Sequence, residues 1–91
     1  MKVTLEITVY PLDGDYKELV KDFLRKLNTY ERVEVITNGV STQVFGEYDD
    51  VMAAYTEALK PSMESGIAIA AVSKIINSHL PPDRWDSSQW T

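Results

Sequence analysis

Polar and apolar residues alternate strictly from Val3 to Tyr10. Val3, Leu5, Ile7 and Val9 point one way, and Thr4, Glu6, Thr8 and Tyr10 the other. A period of two rich in β-branched residues predicts a half-buried strand. Pro11 ends it, and Asp13-Gly14-Asp15 reads as a turn and helix cap. From Tyr16 to Leu27 the period lengthens. Tyr16, Leu19, Val20, Phe23, Leu24 and Leu27 share one helical stripe, with Lys17, Lys21, Asp22, Arg25 and Lys26 behind it. Two β-rich runs follow, Val33–Thr37 and Val40–Phe45, and Asn38-Gly39 separates them. Asn-Gly in that setting predicts a type I′ hairpin turn. That turn pairs Thr37 with Val40, Val35 with Thr42 and Val33 with Val44, and the shared valines make their face the core. Glu34, Ile36, Ser41, Gln43 and Phe45 fall on the other face.

Residues 46–50 read as a second turn and cap. A second helix follows, with Val51, Ala54, Tyr55, Ala58 and Leu59 at helical spacing. Pro61 predicts that it ends or kinks at Lys60, with one more turn of helix possible before Gly66. Ile67–Ile76 reads as a last strand, apolar on both sides. The order β-α-β-β-α-β predicts a ferredoxin-like α+β sandwich. Its antiparallel sheet has order 4-1-3-2 and both helices on one face. The domain spans residues 1–78, and 79–91 is a tail carrying Trp85 and Trp90.

Composition narrows the function. The chain has 91 residues, 9 basic against 14 acidic, and a net charge of −5. An acidic single domain argues against a nucleic-acid partner. The absence of cysteine removes thiolate catalysis and sulfur-held zinc. No stretch resembles a membrane span or a signal-peptide core, so a cytoplasmic protein without membrane insertion is expected. His79 is the only histidine, and no glycine-rich phosphate cradle is present. The pairs Asp13/Asp15 and Asp49/Asp50 lie at helix starts, where capping accounts for them, so no enzyme is expected. The helix-free face carries Tyr10, Ile36, Phe45 and one side of the last strand. Covering ~100–200 Å² of such surface with a second copy would contribute of order 2.5–5 kcal/mol per chain. A homodimer or higher assembly is therefore expected, joined through that face or the sheet edge, with the tail tryptophans either clamping the partner or free.

Val9-Tyr10-Pro11-Leu12 followed by Asp15-Tyr16, and Gly39–Gly46 followed by Asp49-Asp50-Val51, carry a resemblance. Over residues 3–78 the chain resembles the YkoF-like thiamine and hydroxymethylpyrimidine-binding family. The resemblance implies a ferredoxin-like domain that binds thiamine or its pyrimidine precursor without catalysis and needs no cofactor. Members of that family carry two such domains in tandem, so a single domain would have to pair in trans, as a dimer or tetramer. Thiamine offers a flat aminopyrimidine and a cationic thiazolium, which call for hydroxyls, amides and a carboxylate around an apolar slot. Glu6, Thr8, Tyr10, Ser41, Thr42 and Gln43 supply such groups and are the candidate ligand-binding residues. Each also has a structural role open to it. Thr42 can bond a neighbouring carbonyl, Tyr10 can cover the sheet end, and the others can form a solvated or dimer-facing sheet surface. Lys2 and Lys74 are the only basic residues on the first, third and last strands, which favours an unphosphorylated ligand over a diphosphate. The alternative is a dimeric regulatory or interaction module without a small-molecule ligand.

Overall fold

The structure is a computed structural model that describes residues 1–12 and 17–80. Six elements follow one another: β1 (Lys2–Pro11), α1 (Lys17–Leu27), β2 (Glu34–Thr37), β3 (Thr42–Glu47), α2 (Tyr48–Met63) and β4 (Ile69–Ile76). The sheet is antiparallel throughout, in the order β2-β3-β1-β4, which is the expected ferredoxin-like arrangement. Val3, Leu5, Ile7 and Val9 meet Phe23 and Leu27 of α1 and Val51, Ala54, Ala58 and Leu59 of α2 in one core. The two helices lean on each other and on β1 and β3, and β4 lies at the margin. The expected cap Asp13-Gly14-Asp15, the start of the first helix at Tyr16 and the tryptophans of the tail lie outside the described residues.

The hairpin differs from its expected register. Thr37 opposes Thr42 rather than Val40, and Val35 opposes Val44 rather than Thr42. The turn is centred on Gly39-Val40, one residue later than Asn38-Gly39. The Asn38 side chain is the cause. Its Oδ1 accepts from the Val40 and Ser41 amides at 2.9 and 3.1 Å, and the Asn38 backbone N–H donates to the Ser41 carbonyl at 3.1 Å. Asn38 thus closes the loop from its rim. Type I′ requires positive φ at both central residues, and neither Asn38 nor Gly39 has it. Moving the turn by one residue moves the pairing by two. Each side chain therefore keeps its face, except that Val40 leaves the core and is 83% exposed.

α2 departs from expectation at both of its ends. The helix continues through Pro61 to Met63, because Ala58, Leu59 and Ser62 are buried on one face and tertiary packing outweighs the local cost of proline. It also starts at Tyr48, directly after Glu47, so Asp49 and Asp50 lie in its first turn, where they face the positive end of its dipole. Gly46 is needed for space, since a Cβ there would come within 3.2 Å of the Arg32 carbonyl and 3.4 Å of Val51.

The helix-free face is partly covered from within the chain. After β4, residues 77–80 return across Thr4 and Phe45. The Thr4 hydroxyl donates to the Ser78 carbonyl at 2.8 Å and accepts from the Leu80 amide at 2.9 Å. His79 stands edge-on to Phe45, with centroids 5.6 Å apart. Phe45 was expected to project openly from this face, and it is only 2% exposed. His79 itself is exposed, yet it acts as part of this cover.

Candidate functional site

The strict alternation of β1 and the alternation of β3 bring Glu6 directly opposite Gln43 on the helix-free face. Ser41 stands just before β3, where the hairpin closes. Its hydroxyl donates to Glu6 Oε2 at 3.0 Å, and Gln43 Nε2 donates to the Ser41 oxygen at 2.8 Å. A hydroxyl has one proton, and here the carboxylate receives it, so the Gln43 amide must present its nitrogen to Ser41. That leaves Gln43 Oε1 buried and without a partner. An unmet acceptor of this kind costs about 1–3 kcal/mol and marks a place where a donor is welcome. On the other side of Glu6, Lys74 Nζ lies 3.8 Å from Oε1, in an exposed and weak ion pair.

Thr42 points to the opposite face, as its neighbours on β3 require. Its hydroxyl lies 3.0 Å from that of Thr37, so its partner is another hydroxyl and not a carbonyl. The Thr37–Thr42 pair stands at the rim of a cavity of about 130 Å³ between α1 and the hairpin end of the sheet. Val20, Phe23 and Leu24 of α1 and Ile7 and Val9 of β1 form its walls, Thr37 and Thr42 bring their paired hydroxyls to it, and the chain at Thr8 and Ser41 completes its border. Its size is close to the ~150 Å³ of an apolar cavity that accepts a benzene ring. One aromatic ring fits and two do not. Ser41 belongs to both arrangements: it borders the cavity and it is bonded to Glu6.

Of the six candidate residues, Glu6, Ser41 and Gln43 form one hydrogen-bonded chain, and Thr8, Ser41 and Thr42 border one cavity. Tyr10 joins neither; it is 51% exposed at the far end of β1. Thr37 and the α1 residues were absent from the sequence-derived set. The stripe on α1 marked Val20, Phe23 and Leu24 as core, but nothing in it marked the core as incomplete there. A wider trough of about 400 Å³ lies against β2 and Phe45. Its wall charges are of both signs, Lys2 and Arg32 with Glu31 and Glu34. Lys2 is already 3.4 Å from Glu47, and Arg32 is 3.9 Å from Asp50. It holds none of the candidate residues, and its mixed charge selects no ligand class. Among the described residues, no group of three acidic or histidine side chains could hold a metal ion. No described helix is long and apolar enough to cross a membrane.

No family model matches the chain, and no curated protein matches it. Solved structures do. A Streptococcus pneumoniae protein is similar at 24% identity, over 88% of this chain and 90% of that one, with a TM-score of 0.79. A hypothetical protein of Methanocaldococcus jannascii is similar at 23% identity, over 91% and 90% of the two chains, with a TM-score of 0.74. A Thermotoga maritima protein, provisionally assigned to thiamine biosynthesis or salvage, is similar at 19% identity over the whole of both chains, with a TM-score of 0.76. At these identities the likeness is one of fold: the chain is a small ferredoxin-like domain of the same architecture as these proteins.

Proposed function

We propose that this domain binds thiamine or its hydroxymethylpyrimidine precursor without transforming it, as part of a homo-oligomer. The observation that carries the reading is the cavity between α1 and the hairpin. It is sized for one ring, walled by aliphatic and aromatic carbon and bordered by the paired hydroxyls of Thr37 and Thr42. An aminopyrimidine presents donors and acceptors at its edge and two flat apolar faces, which is what such a cavity accommodates. Glu6 lies across the sheet from the cavity and is joined to its border through Ser41, the nearest carboxylate the described residues offer to a cationic second ring. Among the described residues no lysine or arginine borders the cavity, which disfavours a diphosphate. The fold shared with a protein provisionally assigned to thiamine biosynthesis or salvage is consistent with this reading, as is the resemblance to the YkoF-like family.

Isothermal titration with thiamine, hydroxymethylpyrimidine and thiamine diphosphate tests it. Saturable binding of the first two is expected, with the diphosphate far weaker. Ser41→Ala removes the hydroxyl that joins the border of the cavity to Glu6. It is expected to weaken binding about tenfold, the scale of one lost hydrogen bond of about 1.4 kcal/mol. A flat titration by folded, assembled protein would instead identify a regulatory or interaction module. Turnover of either compound would overturn the non-catalytic reading.

A further inference from the structure

The two margins of the sheet are built differently. β2 is four residues long and is preceded by the charged pair Glu31-Arg32. β4 is eight residues long, pairs with β1 in unbroken register and contains no proline. Its one charged residue, Lys74, is drawn toward Glu6. Short strands, charges, bulges and prolines are the usual means of protecting an edge, and β4 has almost none of them. The backbone shows which of its groups are free. The Ala68 carbonyl accepts from the Leu12 amide at 2.9 Å, so alternation turns the even-numbered residues toward β1. Ile69, Ala71, Ser73 and Ile75 therefore turn their N–H and C=O groups outward, away from every strand of the sheet. Val72 and Ile75 on the same strand are 60% and 45% exposed.

We propose that β4 pairs antiparallel with β4 of a second copy about a two-fold axis through Val72, joining the two sheets into one. This deepens the assembly part of the proposed function and rests on it; it does not depend on the ligand. The strand is self-complementary in this register. Ala71 faces Ser73, Ile69 faces Ile75, and Val72 meets its own counterpart, so every outward N–H and C=O on both strands finds a partner. The exposed Val72 and Ile75 become covered. Lys74 falls opposite Ala70 rather than opposite a second lysine, so no like charges meet across the axis. Ala70 is small, and its neighbour on β1 is the half-exposed Tyr10, whose ring the Lys74 ammonium can reach across it. A foreign strand would need to match the same spacing by chance; a second copy matches it by construction.

The absence of cysteine makes the register directly readable. Val72→Cys places two sulfurs at a non-hydrogen-bonded pair on the axis, the close pair of an antiparallel ladder. Mild oxidation is expected to convert most of V72C to a covalent dimer, and to leave Lys74→Cys largely uncrosslinked. Sedimentation of the unmodified chain is expected to give a dimer. Ser73→Pro removes an outward N–H without touching the β1 ladder, so it is expected to shift the chain to monomer with its cooperative melt retained. A monomeric parent protein at ~100 μM would overturn the assembly reading as a whole. Equal crosslinking of V72C and K74C, or a dimer unaffected by S73P, would overturn the edge interface alone. Ligand titration of monomeric S73P, or of K74C if S73P does not fold, reports on the ligand reading separately.

Discussion

Thr4 shows how one side chain can decide which part of a surface is available. It faces away from the helices, on the side of β1 that alternation assigns to solvent, yet it is buried. Its hydroxyl has one donor and two acceptor positions, and residues 77–80 use one of each. Valine has almost the same shape and neither capacity. Thr4→Val therefore leaves the Ser78 carbonyl and the Leu80 amide without their partner beside an apolar surface. The expected cost is about 1–2 kcal/mol in denaturant unfolding. The local consequence should be larger than the global one, because the strand keeps its ladder. Amide exchange at Leu80 is expected to accelerate in the variant while exchange at Leu5 and Val44 tracks global stability. Equal protection of Leu80 in both proteins would show that the Phe45–His79 contact holds the segment without the hydroxyl. Gln43 is the counterpart on the uncovered half of the face. There the unmet acceptor remains, and it lies beside Glu6, where the proposed ligand's charge is met.

At the scale of elements, most of the fold was legible because the hydrophobic period changes cleanly from two to 3.6 and back. Glycine and proline mark nearly every junction. The hairpin register was not legible, and the reason is specific. Asn-Gly suits a type I′ turn, but asparagine equally caps a loop from its first position, and sequence alone does not say which way its side chain turns. Whether the helix ends at Lys60 or runs on through Pro61 was left open for a related reason: the packing of Ser62 is not visible in local propensity. The connection of α1 to β2 carries a tie that no periodicity announces. The Tyr30 hydroxyl donates to Glu57 of α2 at 2.8 Å. That hydrogen bond, then burial, then the nearby negative charge, raise the Tyr30 pKa above 10.0. The folded state thus holds the phenol proton more tightly than the unfolded chain. The resulting stability is present in full below about pH 10 and is lost as pH rises through the higher folded value. Tyr30→Phe is expected to flatten the alkaline limb of the stability profile above about pH 10 and to leave its acid limb unchanged. An unaltered alkaline limb, followed by thermal melts across that range, would show that the tie does not form in solution.

For the whole molecule, the question is how a domain this small is stabilised. A chain of this length buries a modest share of its surface and is marginal on its own. Two features of the architecture bear on that: a long unprotected edge at β4 and an unfilled space between α1 and the sheet. The sequence pointed to the first through a strand apolar on both sides. The second was not legible, beyond the one hydroxyl, Thr42, that the pattern set among the core valines, because a cavity is a property of how far apart two elements stand. Under the proposed function a second copy and a ligand would each add stability at one of these features, and mass action makes this measurable. A ligand that binds only the folded state at a free concentration of one hundred times its Kd contributes about 2.7 kcal/mol. In a domain of this size each kcal/mol moves Tm by about 4–8 °C, so thiamine or hydroxymethylpyrimidine is expected to raise Tm by on the order of 10 °C. Ser41→Ala should need about tenfold more ligand for the same shift. Tm should also rise with protein concentration in the absence of ligand, and this dependence should vanish in Ser73→Pro. The two responses are separable because the cavity lies against α1 and the edge lies beyond β1. Thiamine that leaves Tm unmoved at millimolar concentration would remove the ligand from this account. A concentration-independent Tm would leave an assembly at the β4 edge no role in stability.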